Sequence, residues 1–125
     1  TEHFSNLTAP RVYNRFGIFS GRRGGKTLIG AHAAREEMLA SALYLQQQET
    51  GLGDRFLDAI DRALVLIERH PQAWSPIGRG LRCCRLAVFH YGLIYRVRAG
   101  QIEVVAVAHD RRRPGYWRNR LRTVE

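Results

Sequence analysis

Within nine residues near its end, this 125-residue chain sets a histidine, an aspartate, three consecutive arginines and two aromatic rings: His109-Asp110-Arg111-Arg112-Arg113-Pro114-Gly115-Tyr116-Trp117. Histidine carries a proton near neutral pH, guanidinium groups hold phosphate, and tyrosine and tryptophan rings stack on bases. The run follows a strand-like segment, so its groups meet where a strand ends. That place suits contact with phosphate and unstacked bases.

A second candidate stands at the other end. Phe16-Gly17-Ile18-Phe19-Ser20-Gly21-Arg22-Arg23-Gly24-Gly25-Lys26-Thr27 is similar to a phosphate-binding loop, in which an apolar run leads into Gly-Lys-Thr and backbone N–H groups cradle a nucleotide. It has Ser20 where the motif asks for glycine. Val104-Val105-Ala106-Val107-Ala108-His109-Asp110 even imitates the acidic strand of such domains. A nucleotide-binding domain of this kind needs a parallel sheet with crossover helices, and the antiparallel signals after residue 80 leave no room for it. No cofactor is expected.

Two helices and three strands must position these groups. From Ala33 to about Gln48, Ala34, Met38, Ala42 and Leu45 recur three and four apart. Thr50-Gly51-Leu52-Gly53 interrupts the pattern, Asp54 offers an N-cap, and Phe56, Ile60, Ala63, Leu64 and Ile67 form a second stripe that ends before Pro71. Strands are expected over Arg82–Phe89, Leu93–Arg98 and Ile102–Ala108, joined by His90-Tyr91-Gly92 and Ala99-Gly100-Gln101 as an antiparallel meander. The third is apolar nearly throughout, as a strand covered on both faces would be. Arg96 and Arg98 fall on one face of the second strand, either as a solvated cationic face or as a contact surface. Trp74, between Pro71 and Pro76, is expected to anchor the loop into the sheet. The fold class is α+β, with both helical stripes buried on one face of a small sheet.

Composition narrows the function. The chain carries 20 basic and 11 acidic residues, net +9, with a 45% apolar content that supports one modest core. The charge is segregated: residues 1–32, 33–78 and 79–125 carry net +4, −3 and +8. The sheet half is therefore the basic surface, fit for nucleic acid or an acidic protein. Cys83 and Cys84, the only cysteines, are adjacent in a strand and point to opposite faces, so they form neither a staple across the fold nor a metal site. No apolar run approaches the roughly 20 residues of a membrane helix, and nothing resembles a signal peptide. A cytoplasmic protein is expected.

The order of these elements resembles a known family. Helix, glycine link, helix and His70-Pro71 precede Gly80-Leu81-Arg82 at a strand entry, Tyr91-Gly92-Leu93-Ile94-Tyr95-Arg96-Val97, and Val107-Ala108-His109-Asp110-Arg111-Arg112 with Tyr116-Trp117-Arg118. Over about residues 27–121 this is similar to the ParE/RelE toxins of type II toxin–antitoxin (plasmid stabilisation) systems. The resemblance implies a helical hairpin packed on a small curved antiparallel sheet, neutralised by a cognate antitoxin in a hetero-oligomer. It divides the chain into an N-terminal extension, 1–26, and a toxin domain, 27–125. Some members of the family poison DNA gyrase and others cleave messenger RNA on the ribosome.

RNA cleavage without a metal needs a base for the 2′-hydroxyl, cations for the phosphorane and an acid for the leaving oxygen. The nuclease branch clusters cations on the strand that here reads Arg85-Leu86-Ala87-Val88-Phe89, and only Arg85 qualifies. Arg85, Arg111 and Tyr116 are the catalytic candidates if the chain is a nuclease, with His90 or His109 to move the proton. Arg96, Arg98, His109, Arg112, Arg113 and Trp117 are the candidates for target or antitoxin contact. Gyrase is the expected target, a ribosome-dependent mRNA interferase the alternative, and a phosphate-loop fragment or plain basic binding module the third.

Overall fold

The apolar spacing of residues 34–67 folds as two helices, α1 (His32–Gln48) and α2 (Leu52–Arg69). The computed structural model describes residues 22–23, 26–30 and 32–124. Ala34, Met38 and Ala42 of α1 and Phe56, Ile60, Ala63, Leu64 and Ile67 of α2 are buried, as the two stripes require. The start of α2 differs from expectation. It begins at Leu52, before Asp54, and Gly51 at φ 89° takes the cap position with no side-chain cap. Only glycine adopts that conformation without strain, and the tight reversal it permits brings the new helix back to Gln46. Gln46 Oε1 accepts the N–H groups of Gly51 (3.2 Å) and Gly53 (3.1 Å), so a glutamine of the first helix caps the second.

Among the described residues, six strands form one sheet: β1 (Arg22–Arg23), β2 (Lys26–Gly30), β3 (Ser75–Gly78), β4 (Leu81–Arg85), β5 (Tyr91–Arg98) and β6 (Gln101–His109), in the order β1-β2-β6-β5-β4-β3. A short helix, α3 (Arg118–Val124), follows. Strands β4 to β6 are the expected antiparallel meander, β3 pairs antiparallel to β4 outside it, and β2 lies parallel to β6 from Thr27↔Gln101 to Gly30↔Val104. The sequence leaves the first strand open between Lys26–Ala31 and Val12–Phe19; the structure has a strand at Lys26–Gly30, and Val12–Phe19 lies outside the described residues. Lys26 and Thr27 are thus paired in a strand, and α1 begins only at His32. A phosphate-binding loop would place them at a helix start.

The strand ends also differ from the sequence pattern. Leu86 to Phe89 leave the β4 ladder, Tyr91 and Gly92 belong to β5, and β3 adds a four-residue edge strand that contains Pro76 and is exposed throughout. Gly92 is no turn residue. A Cβ there would stand 2.7 Å from Cys83 Sγ, so any larger residue would require that thiol to shift.

Strand β6 has the central place its apolar sequence implies, and a bulge lets it serve both faces. Ile94 pairs with Ala106 and Tyr95 with Val104, which leaves Val105 as the extra residue. The alternation flips there. Ile102, Val104 and Val107 join the core under the helices, with Phe56, Leu64, Leu93 and Tyr95, whereas Val105, Ala106 and Ala108 face the opposite side. On that second face, Leu81, Ile94 and Leu121 complete a smaller core, roofed by Tyr116 and Trp117. Cys84 belongs to the first core and Cys83 flanks the second, on opposite faces as adjacency in a strand dictates. Tyr95 is fully buried under the helices, and its hydroxyl donates to the Pro71 carbonyl.

Candidate functional site

The bulge creates a need that the tail fills. Strand β2 stops pairing at Val104, so the Val105 carbonyl and the Val107 N–H lie beyond its end. Buried backbone groups require partners. Arg120 Nη1 donates to the Val105 carbonyl (3.1 Å), and Glu37 Oε1 accepts the Val107 N–H (2.9 Å). These two side chains then bind each other through paired contacts, Arg120 Nη1 to Glu37 Oε1 at 2.9 Å and Nη2 to Oε2 at 2.8 Å. Tyr116 donates its hydroxyl to Glu37 Oε2 at 2.6 Å. One carboxylate of α1 thus gathers the strand edge, the tail and α3, and its fork geometry suits arginine alone.

The charges follow from this arrangement. Burial by itself would raise the Glu37 pKa, but the donors from Arg120, Tyr116 and Val107 outweigh it and hold the carboxyl below its ordinary range. Tyr116 is pushed well above the usual phenol range, first by burial and then by the anion it donates to. The Arg112 guanidinium stacks over the Tyr116 ring at 3.9 Å and that of Arg120 at 5.1 Å, while Trp117 meets the ring edge-on at 5.2 Å between centroids. Tyr116 and Trp117 therefore roof the second face. Arg111 and Arg113 remain exposed in the turn above them.

A second cluster occupies the end of the sheet. Arg85, the last residue of β4, donates to Asp110 Oδ2 at 2.6 Å, and His90 Nδ1 stands 3.7 Å from the same oxygen. The Arg85 hydrogen bond, more than any other contact, keeps the Asp110 carboxyl below its usual range. Asp110 is fixed by its backbone, whose N–H donates to the His90 carbonyl at 2.9 Å. His109 is held twice: its Nδ1 accepts the Arg111 N–H at 3.0 Å, and its ring meets Tyr91 edge-on at 4.9 Å. The structure thus brings Arg85, His90, His109 and Asp110 together and leads into Arg111–Arg113, but it sets Tyr116 apart on Glu37.

Arg96 is not on a solvated face. It is 7% exposed, and its Nε donates to Glu103 Oε1 at 2.8 Å across the β5–β6 ladder, where the two residues are register partners. Arg98, 3.7 Å from the same carboxylate, does reach the surface. The sequence reading also missed Glu37 and the role of Asp110. An acid beside the Ala34–Met38 stripe was a usable signal for the first, and Asp110 directly before three arginines for the second.

On the helix side of the sheet, Arg62 and Leu66 of α2, Trp74 and Val88 are among the residues that line a mainly apolar groove. Val88 is 80% exposed. Trp74 anchors the loop as expected, packed against the core with its carbonyl accepting from Arg82 at 2.7 Å.

No curated protein matches the chain. A solved structure titled "Chromosomal ParDE TA system from P. aeruginosa" is similar at 13% identity, covering 67% of this chain and 91% of that one, with a TM-score of 0.48. The family model described as the ParE toxin of type II toxin–antitoxin system, parDE, matches residues 30–114, well over half of the chain, and the chain belongs to that family.

Proposed function

We propose that the chain is the toxin of a ParDE-type pair, held inactive in the cytoplasm by a cognate antitoxin, and that it acts on DNA gyrase and not as an mRNA interferase. One observation carries the choice of target: the groups a nuclease would use are already engaged. Arg85 is paired with Asp110, and Tyr116 donates to Glu37 with its proton held tightly. Each missing stabiliser of an oxyanion costs about 10²–10³ in rate, so little cleavage is left to the exposed Arg111. The partner reading is supported by the apolar groove beside Val88 and by the exposed cations Arg98 and Arg111–Arg113, which together suit an acidic, amphipathic antitoxin. No described helix is long and apolar enough to cross a membrane.

Expression without antitoxin should arrest growth with filamentation and a DNA-damage response, and the purified protein should inhibit gyrase supercoiling. Arg111→Ala or Trp117→Ala should weaken that arrest. Ribosome-dependent mRNA fragments that appear within minutes of induction, ahead of any DNA damage, would overturn the gyrase reading and make Arg85, Arg111 and Tyr116 catalytic candidates.

A further inference from the structure

We propose that Asp110 is a specificity-determining residue whose carboxylate occupies, on Arg85, the seat of a phosphodiester oxygen, so that this sheet end carries phosphate-recognition chemistry that the protein itself neutralises. The inference deepens the non-nuclease reading and rests on it. Three features of the cluster lead there.

Carboxylate and phosphodiester carry the same unit charge and compete for the same guanidinium N–H groups. At 2.6 Å, Asp110 Oδ2 has taken that position on Arg85. The competitor is also preorganised. The Asp110 N–H is fixed on the His90 carbonyl, and the Arg112 N–H on the His109 carbonyl at 3.0 Å, so the turn delivers the carboxylate with little ordering left to do. An incoming phosphate must displace a group that the backbone holds in place.

Everything else at this corner suits a nucleic-acid strand. Arg85 keeps 63% of its side chain in solvent, His90 is exposed beside it, and exposed Arg111 follows Asp110 directly. Asp110, with 28% of its side chain exposed, is the single anion among them. Phosphate contacts position a strand whatever its sequence, so one carboxylate at the corner weakens the binding of single-stranded RNA in general.

The test is binding of a fluorescently labelled oligouridylate to the full-length protein, with Asp110→Asn, Arg85→Ala and the double variant compared across a salt series. Asparagine keeps the shape and the backbone bond and removes the charge. Asp110→Asn should gain about fivefold in affinity, the ceiling for releasing an exposed ion pair. The slope of log K against log salt should steepen by about 0.7, one further phosphate contact on a single strand. In the Arg85→Ala background, Asp110→Asn should give neither change. A second variant, Asp110→Ala, should repeat the gain and guards against a folding defect peculiar to asparagine. No gain in either variant would overturn the proposal, and so would an equal gain without Arg85, which would reduce Asp110 to one unit of net charge. The measurement uses no ribosome and no gyrase, so a failed gyrase assay leaves it standing, and a failed binding gain leaves the target reading standing.

Discussion

Glu37 and Asp110 each receive an arginine within hydrogen-bonding distance, and the two pairs have opposite consequences. Glu37 and Arg120 are 14% and 22% exposed, and the carboxylate has two further donors in the Val107 N–H and the Tyr116 hydroxyl. Asp110 has one close donor, Arg85, which stands mostly in water. Withdrawal from solvent and the number of preorganised donors therefore decide what an ion pair does. The first closes a bulged strand edge and fixes the tail, whereas the second leaves the frame alone and adjusts the charge of a surface.

The largest expected effect is at Glu37. Glu37→Ala strands the Arg120 guanidinium and the Val107 N–H together, and should cost about 3 kcal/mol, the low end for breaking a buried pair because both side chains keep some solvent. Urea unfolding of the isolated toxin measures it. Glu37→Gln, which keeps an acceptor for Val107, should fall between the parent and the alanine variant. A loss within the range of surface pairs, about 1 kcal/mol or less, would erase the contrast with Asp110.

Acid should expose the same difference. The folded-state pKa of Glu37 lies below the ordinary value, so its contribution is present at pH above that value and is lost as pH falls through it toward the lowered one. Stability should decline from about pH 4.3 downward, and Glu37→Gln should flatten that decline. Asp110 is shifted in the same direction, but in water it contributes little, so Asp110→Asn should leave the acid limb in place. An acid limb that survives Glu37→Gln unchanged would place the sensitive carboxylate elsewhere.

Tyr116 tests whether the network is frame or chemistry. Tyr116→Phe removes one of the four donors to Glu37 and keeps the ring that Arg112 covers, so it should cost about 1 kcal/mol. Growth arrest per folded molecule should stay the same. Loss of arrest with unchanged stability would show the hydroxyl acting on a substrate.

The frame was largely legible in the sequence because local periodicity carries it. The spacing of Ala34, Met38 and Ala42, and of Phe56, Ile60, Leu64 and Ile67, gave both helices and their buried faces. What escaped depends on distant partners. Glu37 meets Tyr116 and Arg120 some eighty positions away, and no local pattern records that. Arg96 reads as exposed on alternation alone. The β5–β6 register sets it opposite Glu103, a pairing between distant segments that alternation within one strand does not record. Asp54 satisfied the rule for a helix cap, but the helix starts earlier, where the positive φ of Gly51 lets Gln46 of the preceding helix accept the Gly51 and Gly53 N–H groups. The cationic turn was found because its residues are contiguous, while its neutralisation joins Arg85 to Asp110 across 25 positions.

The smallest expected effect closes the comparison. Asp110→Asn should leave the urea midpoint unchanged, because Arg85 is already solvated and asparagine retains the N–H that donates to the His90 carbonyl. Only the Coulombic half of the contact disappears, where water and salt screen it most. Raising the salt should therefore not separate the variant from its parent in stability, while it does separate them in affinity for oligouridylate. A midpoint loss comparable to that of Glu37→Ala would mean that the corner turn depends on this ion pair, and that the two carboxylates are both parts of the frame.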